Sequence, residues 1–401
     1  MVKVAAGDGG TRQERSARYG TGLRYRVRYE TADGTEKARS FGKKGDADAY
    51  RNKVAAELRS GTYLDPALGR ISLRKFAAEW LENQTADDTS MVNIRFRVRH
   101  ITSGKLGDKR LDQLAASPSA VQAWIRGLTL APYSVRQCFS TLSSICNAAV
   151  EDGRMSRNPC HARSVTLPPM DERKVVPLEA PVVAALREAM IPRCRAMVDA
   201  GARAGLRQGE IFALGQDDVN FLRRGIEVRR QVKLVGGHLV FALPKRQKTR
   251  TVPLSGDLGL SLAAHIAEFG VTEVTLPWHE PGTRRHGKPE TVRLLFVNKT
   301  GAPFRRTAFN TRIWRPALRR AGIAETRENG MHVLRHTFAS VLLHNNVDVK
   351  RVASYLGHAN AAFTLRVYGH LMEGGEEEAR RVLDFAFTVP VPDSGKIVKQ
   401  S

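Results

Sequence analysis

Residues 332–340 read HVLRHTFAS and open a predicted helix over 333–344. Residues three and four apart share one side of a helix, so His332, Arg335 and His336 can face the same way. Two histidines four apart are also a possible metal pair. However, the glutamate of the H-E-x-x-H pattern is missing, and no nearby group of carboxylates offers a two-metal site. The stretch therefore predicts a cluster of histidine and arginine side chains without a metal ion.

Three further stretches in the second half of the chain carry residues of the same kind. One reads AGLRQGE over 204–210, and another reads PKRQKTR over 244–250. In the third, Leu-Gly-His358 is followed ten residues later by Tyr368. Each stretch alone has an ordinary interpretation, because surface ion pairs contribute little stability and most tyrosines are packing residues.

Taken together, the four stretches form a coherent site for a phosphodiester. Two arginines can clamp a phosphate through forked donors, and a lysine on a hairpin can protonate a leaving oxygen. A histidine can donate a hydrogen bond or move a proton, and a tyrosine hydroxyl can attack phosphorus. Since free tyrosine has a pKa of about 10, such a hydroxyl needs strong positive charge nearby. We therefore expect in-line positioning and electrostatic stabilisation.

The composition indicates a polyanionic partner. The chain has 401 residues and a formal net charge of +24, and basic residues are in excess over 1–69, 70–175 and 176–401. This distribution favours a long track along nucleic acid with salt-sensitive binding. No apolar run approaches the ~18 residues of a membrane span, and no secretory signal is visible. The four cysteines show no C-x-x-C spacing, which favours reduced thiols over a disulfide framework or a zinc site.

The pattern of elements predicts a multidomain α+β protein that is mainly helical with small β-sheets. Residues 1–18 are predicted to be a flexible leader, and residues 19–65 a small β-sheet followed by a helix at about 46–60. The first strand, 23–29, alternates strictly, and the second is predicted at 37–41. One face of the first strand carries three arginines: Arg24, Arg26 and Arg28. This face is either a solvated basic surface or a β-sheet reader that enters a DNA groove.

The remaining residues predict a helical domain, a linker, a mixed domain and a tail, over 70–165, 166–176, 177–390 and 391–401. The helices of the helical domain are predicted near 72–83, 88–100, 118–127 and 132–151. The strands of the mixed domain are predicted at 225–235, 238–243 and 250–254. Its helices are predicted near 179–189, 193–203, 257–269, 306–321, 333–344, 348–355, 361–367 and 376–387.

The order and spacing of the four stretches resemble the tyrosine recombinase (phage integrase) family, in its large arm-binding type. The shared pattern is G-L-R-x-x-E, a lysine hairpin that ends in T-V-P-L, H-x-L-R-H-T-F-A-S, L-G-H, and T-L-x-x-Y-x-H. The strong resemblance covers about 175–390. A weaker one covers 70–165, where the family has its helical core-site-binding domain. The weakest covers 19–65, which looks like an arm-site-binding domain with a three-stranded sheet and a helix.

The resemblance implies a role for each matching residue. Arg207 and Arg335 would hold the scissile phosphate, and His358 would donate a hydrogen bond to it. His332 would assist proton transfer to or from the tyrosine. Tyr368 would be the nucleophile that forms a 3′-phosphotyrosyl link and frees a 5′-hydroxyl, so that neither ATP, metal nor other cofactor is required.

Three further positions match the family pattern in other ways. Glu210 would support Arg207, and His336 would be structural. Lys245 is favoured as the catalytic lysine, counting back from Val-Pro-Leu at 252–254. Lys248 is the alternative, since the length of this loop varies in the family.

The function implied is a site-specific recombinase that integrates, and in some settings excises, a phage or other mobile element. Its partners would be core and arm sites in double-stranded DNA, three further copies in a homotetramer, a DNA-bending host factor and an excisionase. It would act in the cytoplasm of a bacterial host, on the nucleoid. Alternatives are a type IB topoisomerase-like relaxing activity and a DNA-binding regulator with a decayed site. Residues 379–387 would either dock on a neighbouring protomer or pack on their own domain.

Overall fold

The computed structural model describes residues 2–5, 11–14, 22–31, 34–60, 63, 65–170, 175–245, 249–371, 380–381 and 383–385. The chain divides into two compact units, 1–170 and 171–401. The mainly helical α+β class is confirmed, because small antiparallel sheets accompany many helices in these residues. The finer domain boundaries stay predictions. Across the described residues, no helix is both long and apolar enough to cross a membrane.

The first unit begins with two antiparallel hairpins. The strands are β1 (Val2–Ala5), β2 (Thr11–Glu14), β3 (Tyr25–Glu30) and β4 (Glu36–Phe41). The first hairpin falls in the predicted flexible leader, and its eight residues pair through an antiparallel backbone ladder. Beside helix α1 (Lys44–Arg59), the described sheet has two strands, β3 and β4, rather than three.

The β3 strand follows its alternating pattern. Val27 is buried and Tyr29 is half-buried, and the Tyr29 hydroxyl hydrogen-bonds with the hydroxyls of Tyr50 on α1 (3.1 Å) and Tyr63 (2.8 Å). The opposite face of β3 is exposed and carries Arg26 and Arg28, and Arg24 is exposed directly before the strand. The apolar face therefore packs on α1 and leaves a basic face in solvent.

Six helices complete the first unit: α2 (Leu73–Glu82), α3 (Asp88–Thr102), α4 (Lys105–Asp108), α5 (Leu111–Ala115), α6 (Pro118–Gly127) and α7 (Pro132–Glu151). Both α6 and α7 start with proline at the first helical position, where its missing N–H costs nothing. One face of α7 is buried, and its residues recur at helical spacing: Val135, Leu142, Ile145 and Ala149.

The main α-helices of the second unit are α8 (Ala180–Ala189), α9 (Arg195–Ala204), α10 (Gln208–Ile211), α11 (Gly256–Phe269), α12 (Arg306–Phe309), α13 (Arg315–Arg320), α14 (His332–His344), α15 (Val349–Leu356) and α16 (Ala361–Tyr368). A π-helical turn, Asn310–Trp314, joins α12 to α13. The predicted helix at 376–387 falls mostly outside the described residues.

The strands of the second unit form three small antiparallel sheets. They are β5 (Val219–Asn220), β6 (Gly225–Val228), β7 (Gln231–Val235), β8 (His238–Ala242), β9 (Arg250–Pro253), β10 (Thr272–Pro277) and β11 (Pro289–Leu294). The sheet orders are β5–β6–β9, β7–β8 and β10–β11. The β10–β11 hairpin was not predicted, because its two strands are largely polar: β10 buries Val274, and β11 buries Val292 and its last residue, Leu294.

The predicted strand over 225–235 is in fact two strands. Arg229 and Arg230 break it, because both turn to the buried carboxylate of Asp218. Arg229 Nε donates to Asp218 Oδ1 at 2.8 Å, and Arg230 Nη1 donates to Oδ2 at 2.6 Å. β7–β8 is thereby freed from the β6 ladder and forms a separate hairpin that leads to residue 245.

Two glycines shape the chain where the motifs of the second unit meet. Gly205 ends α9 with φ +61°, and a Cβ there would lie 2.5 Å from the Phe338 ring on α14. Gly357 ends α15 with φ +62°, and a Cβ there would lie 3.3 Å from the Arg250 side chain. Both positions need the left-handed conformation and close packing that glycine allows.

Candidate active site

Arg335 lies at the centre of the candidate site. Its side chain on α14 is only 1% exposed, yet it carries a guanidinium. Nη1 donates to the Gly205 carbonyl at 2.7 Å, and Nη2 donates to the Leu356 carbonyl. Burial, together with the charges of Arg207 and Arg250, lowers the pKa of Arg335 to about 9. Arg335 is thus a cation at neutral pH in a place where cations are costly, which favours binding of an anion.

Arg207 brings a second guanidinium to the same carbonyl. It stands just before α10, and its Nη2 donates to the Leu356 carbonyl at 3.1 Å. Its Nη1 donates to Glu210 Oε1 at 2.9 Å, and its backbone N–H donates to Glu210 Oε2 at 2.9 Å. The two arginines predicted to clamp a phosphate therefore converge on one oxygen atom, although Arg207 and Arg335 lie far apart in the sequence.

Arg250 is a site residue that the sequence did not reveal. It opens β9, its side chain is 5% exposed, and its two terminal nitrogens donate to Glu210 Oε1 and Oε2 at 3.0 and 2.6 Å. Its Nε donates to the Tyr355 carbonyl at 2.6 Å. Arg250 therefore fixes Glu210, and Glu210 in turn fixes Arg207. An arginine at the start of a strand looks the same in sequence whether it is exposed or buried, so only the fold could show this.

Glu210 is held as a carboxylate by its two arginine partners. Burial alone would raise the pKa of Glu210, but the hydrogen bonds and charge of Arg250 and the charge of Arg207 outweigh it and bring the pKa to about 2. The buried carboxylate accepts hydrogen bonds from two guanidinium groups and one backbone N–H, so its position is well defined. Glu210 therefore contacts both Arg207 and Arg250, and its supporting role stays a prediction.

We expect Glu210→Gln to lower the free energy of unfolding by about 3 kcal/mol at pH 7, and this difference from wild type to shrink to about 0.4 kcal/mol at pH 2. The folded pKa of Glu210 is about 2, below the roughly 4.3 of an unfolded glutamate. Its contribution to stability is therefore complete above about pH 4.5 and is lost as the pH falls through the folded pKa. Urea unfolding at a series of pH values measures the difference.

The control for this experiment is Asp217→Asn, which removes a surface carboxylate that pairs with Arg293. We expect this change to have a small effect, because exposed ion pairs contribute little. A wild-type and Glu210→Gln difference that stays constant from pH 7 to pH 2 would contradict the buried ionic role of Glu210.

Tyr368 forms a hydrogen bond with a histidine through its hydroxyl. Its side chain is 2% exposed at the end of α16, and its Oη lies 2.7 Å from His336 Nδ1. Burial raises the pKa of Tyr368 to about 12, against the opposing charge of Arg335. Burial and then Arg335 lower the pKa of His336 to about 4, so its ring is neutral at pH 7 and can accept the hydroxyl proton.

This contact differs from the predicted one. The sequence predicts that His332 assists proton transfer and that His336 is structural. In the structure, it is His336 that forms the hydrogen bond with the Tyr368 hydroxyl. The His332 and His336 rings meet edge to face with centroids 4.8 Å apart. The His332 side chain reaches solvent in part. Burial of the rest of the side chain, followed by the charges of His336 and Arg335, lowers the pKa of His332. Since the two histidines are four apart on α14, sequence spacing could not decide which one faces the tyrosine.

His358 lies directly after the left-handed Gly357. Its Nδ1 is 2.8 Å from Thr364 Oγ1, and its ring packs edge-on against Phe363 with centroids 4.8 Å apart. The loop from α15 to α16 therefore sets the orientation of the ring. Leu356, whose carbonyl receives both arginines, is only two residues away, which places His358 beside the same point.

The predicted lysine and the arginines at β3 lie in other segments of the chain than the residues around Arg335. Lys245 is exposed just beyond β8. Lys248 lies outside the described residues, so the choice between the two stays a prediction. Arg26 and Arg28 lie on β3 in the first unit and Arg24 directly precedes it, and Arg28 is 3.6 Å from Glu36. In the described part of the chain, no group of three or more His, Cys, Asp or Glu is arranged to hold a metal ion.

The four cysteines are buried and carry free thiols. Burial raises the pKa of Cys194 to about 12. A hydrogen bond with Cys160, followed by burial, raises the pKa of Cys146 well above its ordinary value. These thiols behave as small apolar core groups.

Comparison with known proteins relates this geometry to a single family. Residues 178–374 match the phage integrase family. A "tyrosine recombinase XerC-like" protein of Caldanaerobacter subterraneus is 26% identical to this chain. The aligned region covers 61% of this chain and 64% of that relative. The integrases of Mycobacterium phages FRAT1 and D29 are 24% and 23% identical over 81% and 88% of this chain, and 91% of each relative is covered.

Solved structures share the fold at low identity. The Tn1549 transposon integrase in complex with a circular intermediate DNA aligns with a TM-score of 0.65 at 18% identity, over 79% of this chain and 99% of that one. A lambda integrase dimer bound to a core site aligns with a TM-score of 0.54 at 14% identity, over 90% of this chain and 97% of that one. The buried arginines, the histidines and the tyrosine thus lie on a fold shared with DNA-bound integrases.

Proposed function

We propose, since this chain belongs to the tyrosine recombinase (phage integrase) family, that it is a site-specific DNA recombinase that integrates a phage or other mobile element. The observation that carries the proposal is the convergence of Arg207 and Arg335 on the Leu356 carbonyl, with Tyr368 under the influence of the Arg335 charge. Two forked cations and a nucleophile are the groups that phosphodiester transfer needs.

The contact between Tyr368 and His336 supports the following cleavage step. The Tyr368 hydroxyl attacks phosphorus, its proton passes to His336 Nδ1, and the bond from phosphorus to the 5′ oxygen breaks. A 3′-phosphotyrosyl bond forms, and a hairpin lysine, Lys245 or Lys248, protonates the leaving 5′ oxygen. A 5′-hydroxyl from a second strand then reverses these steps. The phosphodiester energy is conserved in the tyrosyl link, so no ATP is consumed.

The arginines act on the charge of the phosphate. Arg207 and Arg335 would carry the two non-bridging oxygens, and His358 would donate a further hydrogen bond. Because Arg335 is already desolvated and held by two carbonyls, little reorganisation is needed when the phosphate arrives. The raised pKa of Tyr368 means that the hydroxyl stays protonated until this positive charge and His336 act together.

The wider assembly belongs to the same proposal. Core and arm sites in duplex DNA would be bound by different parts of the chain, and four copies would exchange strands in pairs. A host protein that bends DNA and an excisionase would set the direction of the reaction. The reaction would take place in the cytoplasm of a bacterial host, on its nucleoid.

The test of this function is recombination between sites recovered with the protein itself. Genomic fragments that the full chain binds would be selected, paired on two plasmids, and incubated with the chain in EDTA without nucleotide. We expect reciprocal junctions that sequencing can read. Relaxed plasmid without junctions would favour the topoisomerase-like activity, and binding without strand breakage would favour a DNA-binding regulator.

We expect deletion of residues 1–65 to leave core-site cleavage intact and to abolish integration. The catalytic groups all lie in the second unit, whereas the basic face of β3 lies in the deleted part. Junction formation and suicide-substrate cleavage would be measured side by side. The triple variant Arg24→Ala, Arg26→Ala, Arg28→Ala should give the same result if this face binds arm DNA, and unchanged integration by the deletion would refute the two-site proposal.

A further inference from the structure

The turn that joins β10 to β11 is an exposed basic surface that the cleavage step does not use. Every residue over 281–289 is exposed. This stretch, PGTRRHGKP, contains no carboxylate and three permanent cations: Arg284, Arg285 and Lys288. We call it the basic turn.

The basic turn has a fixed backbone. The Trp278 N–H donates to the Lys288 carbonyl at 2.8 Å, and the Gly287 N–H donates to the Trp278 carbonyl at 2.8 Å. The Arg285 guanidinium stacks 3.5 Å from the centroid of the Trp278 ring and donates to Glu290 Oε1 at 3.0 Å. Arg285 is therefore occupied in bracing the turn, by a cation–π contact and an ion pair.

The other two cations are differently placed. Neither Arg284 nor Lys288 forms an ion pair with any carboxylate in the part of the chain that the structure describes. Both side chains project from a turn whose backbone is already ordered, so binding an anion through them costs little backbone entropy. Two such cations on a rigid turn suit phosphate oxygens.

The basic turn lies beside the lysine hairpin. The His279 N–H donates to the carbonyl of Phe241 on β8 at 2.7 Å, and Lys245 follows β8 within three residues. On the far side of the lysine loop, Thr249 lines the same cavity of about 250 Å³ as Arg285. The turn therefore lies next to β8, the strand that leads to Lys245, the favoured general acid.

We propose that Arg284 and Lys288 bind backbone phosphates of the DNA duplex beside the point of cleavage, and so extend the DNA-binding surface alongside the lysine hairpin. The inference rests on the proposed function, in which this hairpin meets DNA. Arginine and lysine contacts to phosphate oxygens fix the position of a protein on the duplex without reading its sequence. Their contribution is to hold the duplex in register while the lysine acts.

The test measures binding of the full-length chain to a fluorescent 30-base-pair duplex of random sequence at several salt concentrations. The variants are Arg284→Ala, Lys288→Ala and the double change, with Lys299→Ala as a control of equal charge. Lys299 is exposed in the turn next to Gly301, which meets Thr272 at the opposite end of β10. Circular dichroism would check that each variant folds like wild type.

We expect the slope of log affinity against log salt to fall by about 1 in each single variant and about 2 in the double variant. At 0.1 M salt this corresponds to a loss of affinity of about 10- to 100-fold in the double variant. Lys299→Ala should match wild type. If the salt slope of the double variant is unchanged, or if Lys299→Ala loses as much affinity, the role of the basic turn is overturned but the proposed function is not. A wild-type chain without salt-dependent duplex binding would overturn the proposed function as well.

Discussion

Replacing Arg335 by alanine is expected to slow strand cleavage by about 10³- to 10⁵-fold, as loss of an arginine from a phosphoryl-transfer site does elsewhere. Arg335 is the most deeply buried cation of the site, and its charge also acts on the nucleophile. Without it, the developing charge on the phosphate would face one guanidinium instead of two. Single-turnover cleavage of a nicked core-site duplex measures the rate.

Arg335→Lys separates charge from geometry in the same assay. A lysine keeps the positive charge but loses the fork that donates to both Gly205 and Leu356, so we expect most of the rate to be lost. Arg203→Ala is the matched control, because Arg203 is a half-exposed arginine of the same unit that pairs with Asp257 at 2.9 Å. Cleavage within tenfold of wild type by Arg335→Ala would contradict the phosphate clamp.

Tyr368→Phe is expected to abolish cleavage and leave binding to duplex DNA unchanged. The substitution removes only the hydroxyl, and with it the 2.7 Å hydrogen bond to His336. The loss of that bond should lower the free energy of unfolding by about 1 kcal/mol, so the variant stays folded. Cleavage and binding would be measured on the same preparation.

The control for this loss is Tyr355→Phe, which removes another tyrosine hydroxyl from the same unit. Tyr355 contributes its backbone carbonyl to Arg250, and phenylalanine keeps that carbonyl. We therefore expect near wild-type cleavage. Residual cleavage by Tyr368→Phe above one hundredth of the wild-type rate would show that another group attacks the phosphate.

Much of the helical framework could be predicted because local signals agree with tertiary packing. The helices over 118–127 and 132–151 were predicted with their observed ends, since a proline opens each one and the apolar spacing is regular. The β10–β11 hairpin shows the limit of this approach. Its burial comes from packing between distant residues, which a short polar pattern does not reveal.

The candidate site was predicted as a set of residues but not as a set of contacts. Arg207 and Arg335 were expected to act together, and both donate to Leu356. The partner of Tyr368 is His336 rather than His332, and this depends on the rotation of α14, which spacing alone leaves open. Arg250 was missed, because its importance comes from the buried Glu210 that it meets across the fold.

The most direct test of the account is to identify the covalent intermediate. The full chain would be incubated in EDTA with a nicked duplex that carries its selected core site, and the trapped adduct would be digested and sequenced by mass spectrometry. We predict a nucleotide joined through its 3′ phosphate to the oxygen of Tyr368. An adduct on another residue, a 5′ linkage, or cleavage without an adduct would contradict the central claim.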